Sequence, residues 1–472
     1  MIVSTPIYHQ ALVEIEATTP HGVHAGHGDI THDVLLVRDA NGLPYLPATG
    51  LAGVLRHLCQ QKFGTDIEQA LFGYARGNDG QTSRIQLTSG VVHDSANRPC
   101  ESLIDLSPGD ELLDLLLQDK PLVRQRVRLN EQGSAAHTGK FDVTCIPAGV
   151  RYSFFIGYWS DSELQGYFEE LLQLLGSVGF RLGHGTRSGH GAFKVNRLDY
   201  ARWDLTTKEG RNGYQQRSRS RSERHGLSPY ILAEDQNLLK VDIKLTAESG
   251  WRIGGGEQAF SDPDANGRLP DLLPQSEVCV LWKQNTAHLE FKKAVVPASA
   301  VKGALAHRFA YHYRCLTGQF LTHSGQLSEL EANNLQLEGV RELFGFASDG
   351  DAATGAAGKL LLDDIYLETP VVARQTHNKI DHFTGGVING ALFEEEYFWQ
   401  TPLVLSLRIL QADSLSSQSR EALKRTLDDL CEGFLPLGGG SSRGLGAFVA
   451  TSTPVWSDNG QWIQQTASTE IR

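Results

Sequence analysis

The chain has 472 residues, 40% hydrophobic and 21% charged. It is long enough for two or three domains and too apolar to be mostly disordered. There are 43 Lys+Arg against 55 Asp+Glu, a formal net charge of -12. That balance excludes binding nucleic acid by bulk positive charge, but it leaves room for a local basic groove. No run approaches the apolar length of a membrane span, and Met1 to Gln10 has neither a basic nor an apolar signal region. The six cysteines form no CxxC pair, so neither a zinc site nor a disulfide framework is signalled. The expectation is a cytoplasmic protein with reduced thiols and no membrane partner.

In chain order, a strand leads into the glycine-rich stretch Gly22 to Asp29 (GVHAGHGD). Leu46 to Leu55 (LPATGLAGVL) predicts a helix, with Thr49 as N-cap and Leu51, Val54, Leu55 and Leu58 on one apolar face. Leu71-Phe72-Gly73 follows. Tyr152, Phe154 and Ile156 alternate as a strand does, and a helix is expected around Leu164 to Leu175. Gly183 to Phe193 (GHGTRSGHGAF) then makes a glycine turn into another strand. From Lys208 to Arg224, six basic residues and two acids stand in an Arg-Ser alternation without apolar periodicity. That composition predicts a flexible tether, or more sharply a basic arm that touches a nucleic-acid backbone.

The second half repeats this order. Gly250 to Glu257 (GWRIGGGE), Val296 to Leu305 (VPASAVKGAL), Leu343-Phe344-Gly345 and Gly438 to Phe448 (GGGSSRGLGAF) match the four earlier motifs. The offset is 250 residues from Gly53 to Gly303 and 255 from Gly191 to Gly446. Here Ser299 is the cap candidate, with Val301, Leu305 and Phe309 at helical spacing. Leu403, Leu405 and Leu407 alternate, and a helix is expected at Ala422 to Cys431. Four matches in one order mark a tandem duplication. Strands mixed with two helices per copy predict an α+β, ferredoxin-like sandwich used twice. The expected segments are a first domain at 1–202, a linker at 203–228 and a second domain at 229–472.

The repeated glycines permit positive φ and close backbone approach, and exposed N–H groups in such a turn make an anion nest. Gly185 and Gly440 lie in these turns beside Arg187 and Arg443, whose guanidinium groups suit bidentate phosphate binding. Arg56 and Lys302, on the paired helices, fall under the same logic. The plainer reading is a tight helix-to-strand connection. His21, His24, His27 and His32 invite a metal reading, but Gly22, Gly26 and Gly28 break the helix that their spacing would need.

The Pro-Ala-Ser-Ala-Val-Lys-Gly segment and the turn Gly-Gly-Gly-Ser-Ser-Arg-Gly-Leu-Gly resemble the RAMP superfamily of CRISPR-associated proteins. His382-Phe383-Thr384-Gly385-Gly386 and Gly390 to Glu396 sharpen the resemblance to the Cas-seven group, the backbone subunits of type III effector complexes. It covers nearly the whole chain, twice, and is nearest to a fused two-copy subunit of a type III-D-like complex. The resemblance implies two RRM-derived ferredoxin-like RAMP domains with inserted loops and thumb hairpins. It implies guide RNA (crRNA), target RNA and other CRISPR effector subunits as partners. It also implies an RNA-guided endoribonuclease whose aspartate cuts target RNA. Asp33, six residues before Asp39, matches that catalytic position, while Asp39 reads as a turn residue before Asn41-Gly42.

A carboxylate there would orient the attacking 2′-OH, accept its proton, or hold a divalent metal such as Mg2+ or Mn2+. In the second copy the stretch from Gly256 to Pro297 is longer than that from Gly28 to Pro47. Whether Asp262, Asp264, Asp271 or Glu277 marks a second site there stays open. Three other readings compete: a non-catalytic guide-RNA scaffold, a guide-processing RNase and a histidine-site metalloenzyme.

Overall fold

The computed structural model describes residues 5–24, 35–104, 109–129, 135–161, 163–233, 238–319, 334, 336–346 and 355–464. The first unit's principal elements are β1 (Ile7–Ala17), α1 (Ala48–Phe63), α2 (Thr65–Phe72), β2 (Ile85–Leu87), β3 (Leu122–Leu129), β4 (Ala135–Cys145), β5 (Arg151–Ser160), α3 (Tyr167–Gln173) and β6 (Phe193–Asp204). A connecting helix, α4 (Lys208–Gln216), follows. The second unit holds β7 (Leu239–Ala247), β8 (Ser276–Lys283), β9 (Thr286–Val296), α5 (Ala298–Thr317), α6 (Glu338–Phe344), β10 (Leu360–Leu362), β11 (Val372–His377), β12 (Phe393–Trp399), β13 (Leu403–Ile409), α7 (Ser417–Cys431) and β14 (Phe448–Ala450).

The central strands run antiparallel in the order β6-β1-β5-β2 in the first unit and β14-β7-β13-β10 in the second. The duplication is therefore physical. Each sheet buries its inner face under two helices. Ala11, Val13 and Ile15 of β1 meet Leu51, Leu55 and Leu58 of α1 in one core. Val241, Ile243 and Leu245 of β7 meet Val301, Leu305 and Phe309 of α5 in the other. The strand alternation at Leu403, Leu405 and Leu407 and the helix at Ala422 to Cys431 are as expected.

Two local expectations change. Thr49 and Ser299 do not cap their helices; Pro47 and Pro297 occupy the N-cap positions without a side-chain bond. The exposed helix donors are met from across the fold instead. Ala48 N donates to Ser89 Oγ (3.2 Å) and Ala298 N to Asp364 Oδ1 (2.7 Å). The Arg-rich connection is not a free tether either. Gln10 and Glu14 point to the outer face of β1, and the connection covers them. Gln10 Nε2 donates to the Ser218 carbonyl at 3.0 Å, and Arg224 pairs with Glu14 (3.2 Å) and Asp199 (2.5 Å). Arg221 pairs with Glu101 at 3.3 Å. The composition is that of a linker, but first-unit carboxylates hold it. Ser228–Pro229 extends the first unit's sheet and Tyr230 packs there too, so the second unit's own strands begin at Leu239.

Candidate nucleic-acid interface at the junction of the two units

The hairpin β3–β4 and the glycine turn of the first unit lie directly on the second unit. Arg124 on β3 is the centre of the contact. It makes two bonds of 2.7 Å to Glu277 on β8 and one ion pair of 2.8 Å to Asp364 after β10. Tyr366 Oη donates to the same Glu277 at 2.6 Å. Burial opposes the charge on Arg124, but Asp364 and Glu277 outweigh it and hold its pKa well above the usual value. Asp364 is fully buried, and burial pushes its carboxyl up to about 6 against the pull of Arg124.

The long stretch from Gly256 to Pro297 has a structural use. Most of its extra length forms the hairpin β8–β9, which clamps the first unit. Val280 N donates to the Ala148 carbonyl at 2.9 Å. Trp282 Nε1 donates to Gly149 O at 2.7 Å, while the Arg151 guanidinium stacks 4.1 Å over the Trp282 ring.

Gly189 shows why the turn needs glycine. Its φ is +95°, and a Cβ there would lie 2.4 Å from Ala298 Cβ, at the start of α5. Gly185 and Gly440 also take positive φ, +71° and +82°. The turn is less of a nest than expected, because the N–H groups of His184, Ser188, His190 and Gly191 are taken up by carbonyls inside the fold. The backbone of the turn therefore offers few free donors, and the side chains carry what remains.

The basic residues singled out in sequence fall into different settings. Lys302 Nζ donates to the carbonyls of Arg187 (2.7 Å) and Leu360 (3.0 Å), which ties second-unit α5 to the first unit's turn. Burial first, then Arg187 and Arg181, push its ammonium down to about 8. Arg187 is half-buried beside Arg181, and no bond of its guanidinium is formed among the described residues. Arg56 is engaged with Glu68 and with the Gly73 carbonyl (3.0 Å), where it joins α1 to α2.

Arg443 gives Nη2 to the fully buried Glu395 at 2.9 Å. Arg252 pairs with the same carboxylate at 2.8 Å, and His377 Nε2 lies 3.2 Å from it. Arg187 and Arg443 are not equivalent. Ser188 N and Arg443 N make the same bond, to Gly185 O and Gly440 O, so the two arginines stand one position apart in their turns.

Asp33, His27 and His32 lie outside the described residues. Asp39 is a turn residue as expected, and its Oδ1 accepts from Asn41 N (2.8 Å) and Leu43 N (3.0 Å). His21 is a core residue. Its Nε2 lies 2.9 Å from Tyr152 Oη, and burial pushes its pKa down to about 3. His24 Nε2 bonds the Thr144 carbonyl at 3.1 Å. Among the described residues, no three His, Cys, Asp or Glu side chains are grouped to hold a metal. Glu395 is paired with Arg252 and Arg443, and the Glu396 oxygens accept from the N–H groups of Phe260 and Ser261, so both carboxylates are already engaged.

A family model described as RAMPs, the RAMP superfamily, matches residues 14–194 and 244–449. The chain belongs to the RAMP superfamily. Both RAMP matches coincide with the two sheets, which puts the Arg124 network at the contact between two RAMP units of one chain. No curated protein matches it. Among solved structures, it is similar to a chain in a cryo-EM structure of the type III-B Cmr-beta complex bound to cognate target RNA. The identity is 17% and the TM-score 0.29, over 41% of this chain; the match spans 60% of that neighbour's length.

Arg124, Arg181, Asp364 and Glu395 are the residues that sequence reasoning missed. One signal was present: Arg124-Gln125 on β3 recurs as Arg374-Gln375 on β11, at the same 250-residue offset as the helix motif. No helix is long and apolar enough to cross a membrane among the described residues.

Proposed function

We propose that the chain is a guide-RNA-binding backbone subunit of a type III CRISPR effector complex, of the fused two-copy type III-D-like kind. In this reading it serves antiviral defence by cleaving complementary target RNA at an Asp33-dependent endoribonuclease site. The observation that carries the reading is the fixed repetition. Two RAMP units follow one another in the chain, with the same central strand order and each with a glycine turn, a helix start and a hairpin, which supports a subunit that spans successive stretches of one guide. Each unit is taken as an RRM-derived ferredoxin-like domain, supported by the shared strand order. The hairpin β11–β12 ends in an exposed apolar tip, with Phe383 93% exposed, as a thumb that parts neighbouring nucleotides would need. Net charge does not oppose this, since Arg181, Arg187 and Lys302 gather at one place on an acidic chain. All six cysteines are free thiols, which supports a reducing cytoplasmic setting.

Arg187, Arg443 and Lys302 act unequally in this reading. Arg187 has the freest guanidinium to meet a phosphate, whereas Lys302 and Arg443 chiefly shape the surface around it. In this reading a divalent ion such as Mg2+ or Mn2+ would be held at the cutting acid together with the RNA phosphate.

The test is reconstitution with guide RNA and a complementary target. Asp33→Ala is expected to abolish one cut and leave target binding nearly unchanged, and EDTA is expected to suppress the same product. Cleavage at an undiminished rate at every position would leave the scaffold reading in place.

A further inference from the structure

Strand β12 carries three successive acids, Glu394, Glu395 and Glu396, and the last two are fully buried. Side chains alternate along a strand, so Glu395 and Glu396 leave opposite faces of the hairpin. Glu395 is turned to Arg252 and Arg443. Glu396 is turned to the long stretch before β8. Its Oε2 accepts from Phe260 N (2.9 Å), and its Oε1 from Ser261 N (2.8 Å) and from the Ser261 hydroxyl. Arg374 stands directly across from Glu396 on β11. Its Nε donates to the same Ser261 Oγ at 2.6 Å, and its Nη2 donates to the Asp262 carbonyl. A cross-strand pair thus grips Ser261 from both sides. From β9, Lys292 Nζ donates to the Ala259 carbonyl at 2.6 Å, and the Phe260 ring meets Phe398 at 5.5 Å. Downstream, Pro263 biases the Asp262 backbone to extended conformations, and Asp264 closes a turn on Asn266 N and Arg268 N.

Asp262 therefore sits on backbone that is pinned before and after it, while its own carboxylate is exposed and outside any bond among the described residues. Stability does not require this arrangement, since buried charged groups are often replaced by apolar ones without loss. What the Glu396 carboxylate adds is direction, because it fixes two successive N–H groups and a hydroxyl at once. A loop is ordinarily a loose support for a reacting group, and locking its neighbours is what makes it precise. We propose that Ser261, Arg374 and Glu396 are positioning residues for Asp262, so that the root of the hairpin β11–β12 sets where that carboxylate meets target RNA. The three act through the Asp262 backbone and need not touch the RNA themselves. The proposal rests on the endoribonuclease reading above and extends it to the second unit.

The test uses the complex reconstituted with guide RNA, with cleavage followed at saturating target and target affinity measured separately. Asp262→Ala first identifies the product that depends on the second unit, and the Asp33-dependent product in the same reaction is the internal reference. Ser261→Ala keeps both N–H bonds to Glu396 and loses only the hydroxyl link. It is expected to slow the Asp262-dependent product about tenfold or more, because a misplacement of ~1 Å can cost on the order of a hundredfold. Target affinity and the Asp33-dependent product should stay as in wild type, and Ser261→Thr, which retains the hydroxyl, should restore the rate. Glu396→Gln should have a larger effect of the same kind. Hydrogen exchange on the free chain reads the grip directly. The Phe260 and Ser261 amides should be protected in wild type and opened in Glu396→Gln. Equal slowing of both products, or a second-unit product that Ser261→Ala and Glu396→Gln leave at full rate, overturns the proposal. So does fast exchange of the two amides in wild type, or a product pattern that Asp262→Ala leaves complete. A wild-type complex that cuts nothing while those amides are protected removes the endoribonuclease reading itself, and the positioning role with it.

Discussion

His9, His21 and His190 are buried as neutral rings, and their pKa values fall to about 4, 3 and 2, in each case through burial first. In the unfolded chain they protonate near 6.5. Between that value and the lowered ones, the unfolded state binds more protons, so stability falls as pH drops. Each ring loses about 1.4 kcal/mol per pH unit below 6.5. Asp364 acts in the opposite sense, because its raised carboxyl stabilises the fold as pH falls through 6. Three groups outweigh one, and the net loss from pH 6.5 to 5 is expected to be about 3–5 kcal/mol. Urea unfolding at the two pH values measures it, and equal stability would mean that the rings carry protons in the fold. Glu277 makes a second case at this scale. Its side chain is 1% exposed and fully engaged by Arg124 and Tyr366. Glu277→Ala leaves a buried guanidinium short of charge and should cost about 3–5 kcal/mol. Chemical unfolding reads that loss, and the cut pattern of the surviving folded protein should be unchanged.

At the scale of elements, the glycine turn and the tip of the β11–β12 hairpin are opposite cases, one packed and one bare. Gly189→Ala forces a methyl against Ala298 at positive φ, and should destabilise the contact between units by about 1–3 kcal/mol. A lower thermal midpoint reports this, and an unchanged one would place the turn away from α5. Phe383 lies at the other extreme, with almost no contact inside the chain. Phe383→Ala should leave Tm unchanged and weaken the RNA complex by about 1–3 kcal/mol, the usual worth of an aromatic stacked on a base. Unchanged RNA affinity would assign the apolar tip to something other than RNA. The elements were legible where the physics is local. Leu51, Leu55 and Leu58 give the face of α1, Leu403, Leu405 and Leu407 the alternation of β13, and ordered repeats the duplication. What was not legible depends on partners far away in sequence. Thr49 looks like a cap until Ser89 supplies the acceptor to Ala48 N, 41 positions away. Arg221 and Arg224 look like linker charges until Glu101, Glu14 and Asp199 claim them. The Arg124 network joins residues separated by 153 positions, and no spacing rule reaches that far.

Across the whole molecule, the two units can be aligned by their hydrogen bonds rather than by their letters. His184 N and Gly439 N occupy the same position in their turns; they donate to Gly22 O (2.9 Å) and Arg252 O (2.8 Å). Position 22 of the first unit therefore corresponds to 252, two residues beyond the letter match of GVHAGHGD to GWRIGGGE. Carried forward, that offset of 230 brings position 33 to 263, one residue from Asp262. The four acids of the second unit then separate. Glu277 is sealed in the contact between units. Asp264 closes its own turn on Asn266 N (2.8 Å) and Arg268 N (2.7 Å). Asp271 holds Glu394 N at 2.9 Å. Asp262 is exposed, with its carbonyl fixed by Arg374 and its carboxylate outside any bond among the described residues. It is the acid with the freedom and the position to take the role proposed for Asp33. Asp262→Ala should therefore remove one discrete product from a reconstituted cleavage reaction, and Asp33→Ala a different one. The double variant should bind target without cutting, while Asp264→Ala and Asp271→Ala leave both products. A full product pattern from Asp262→Ala would confine cutting to the first unit. The second unit's long stretch would then serve only to clamp its neighbour.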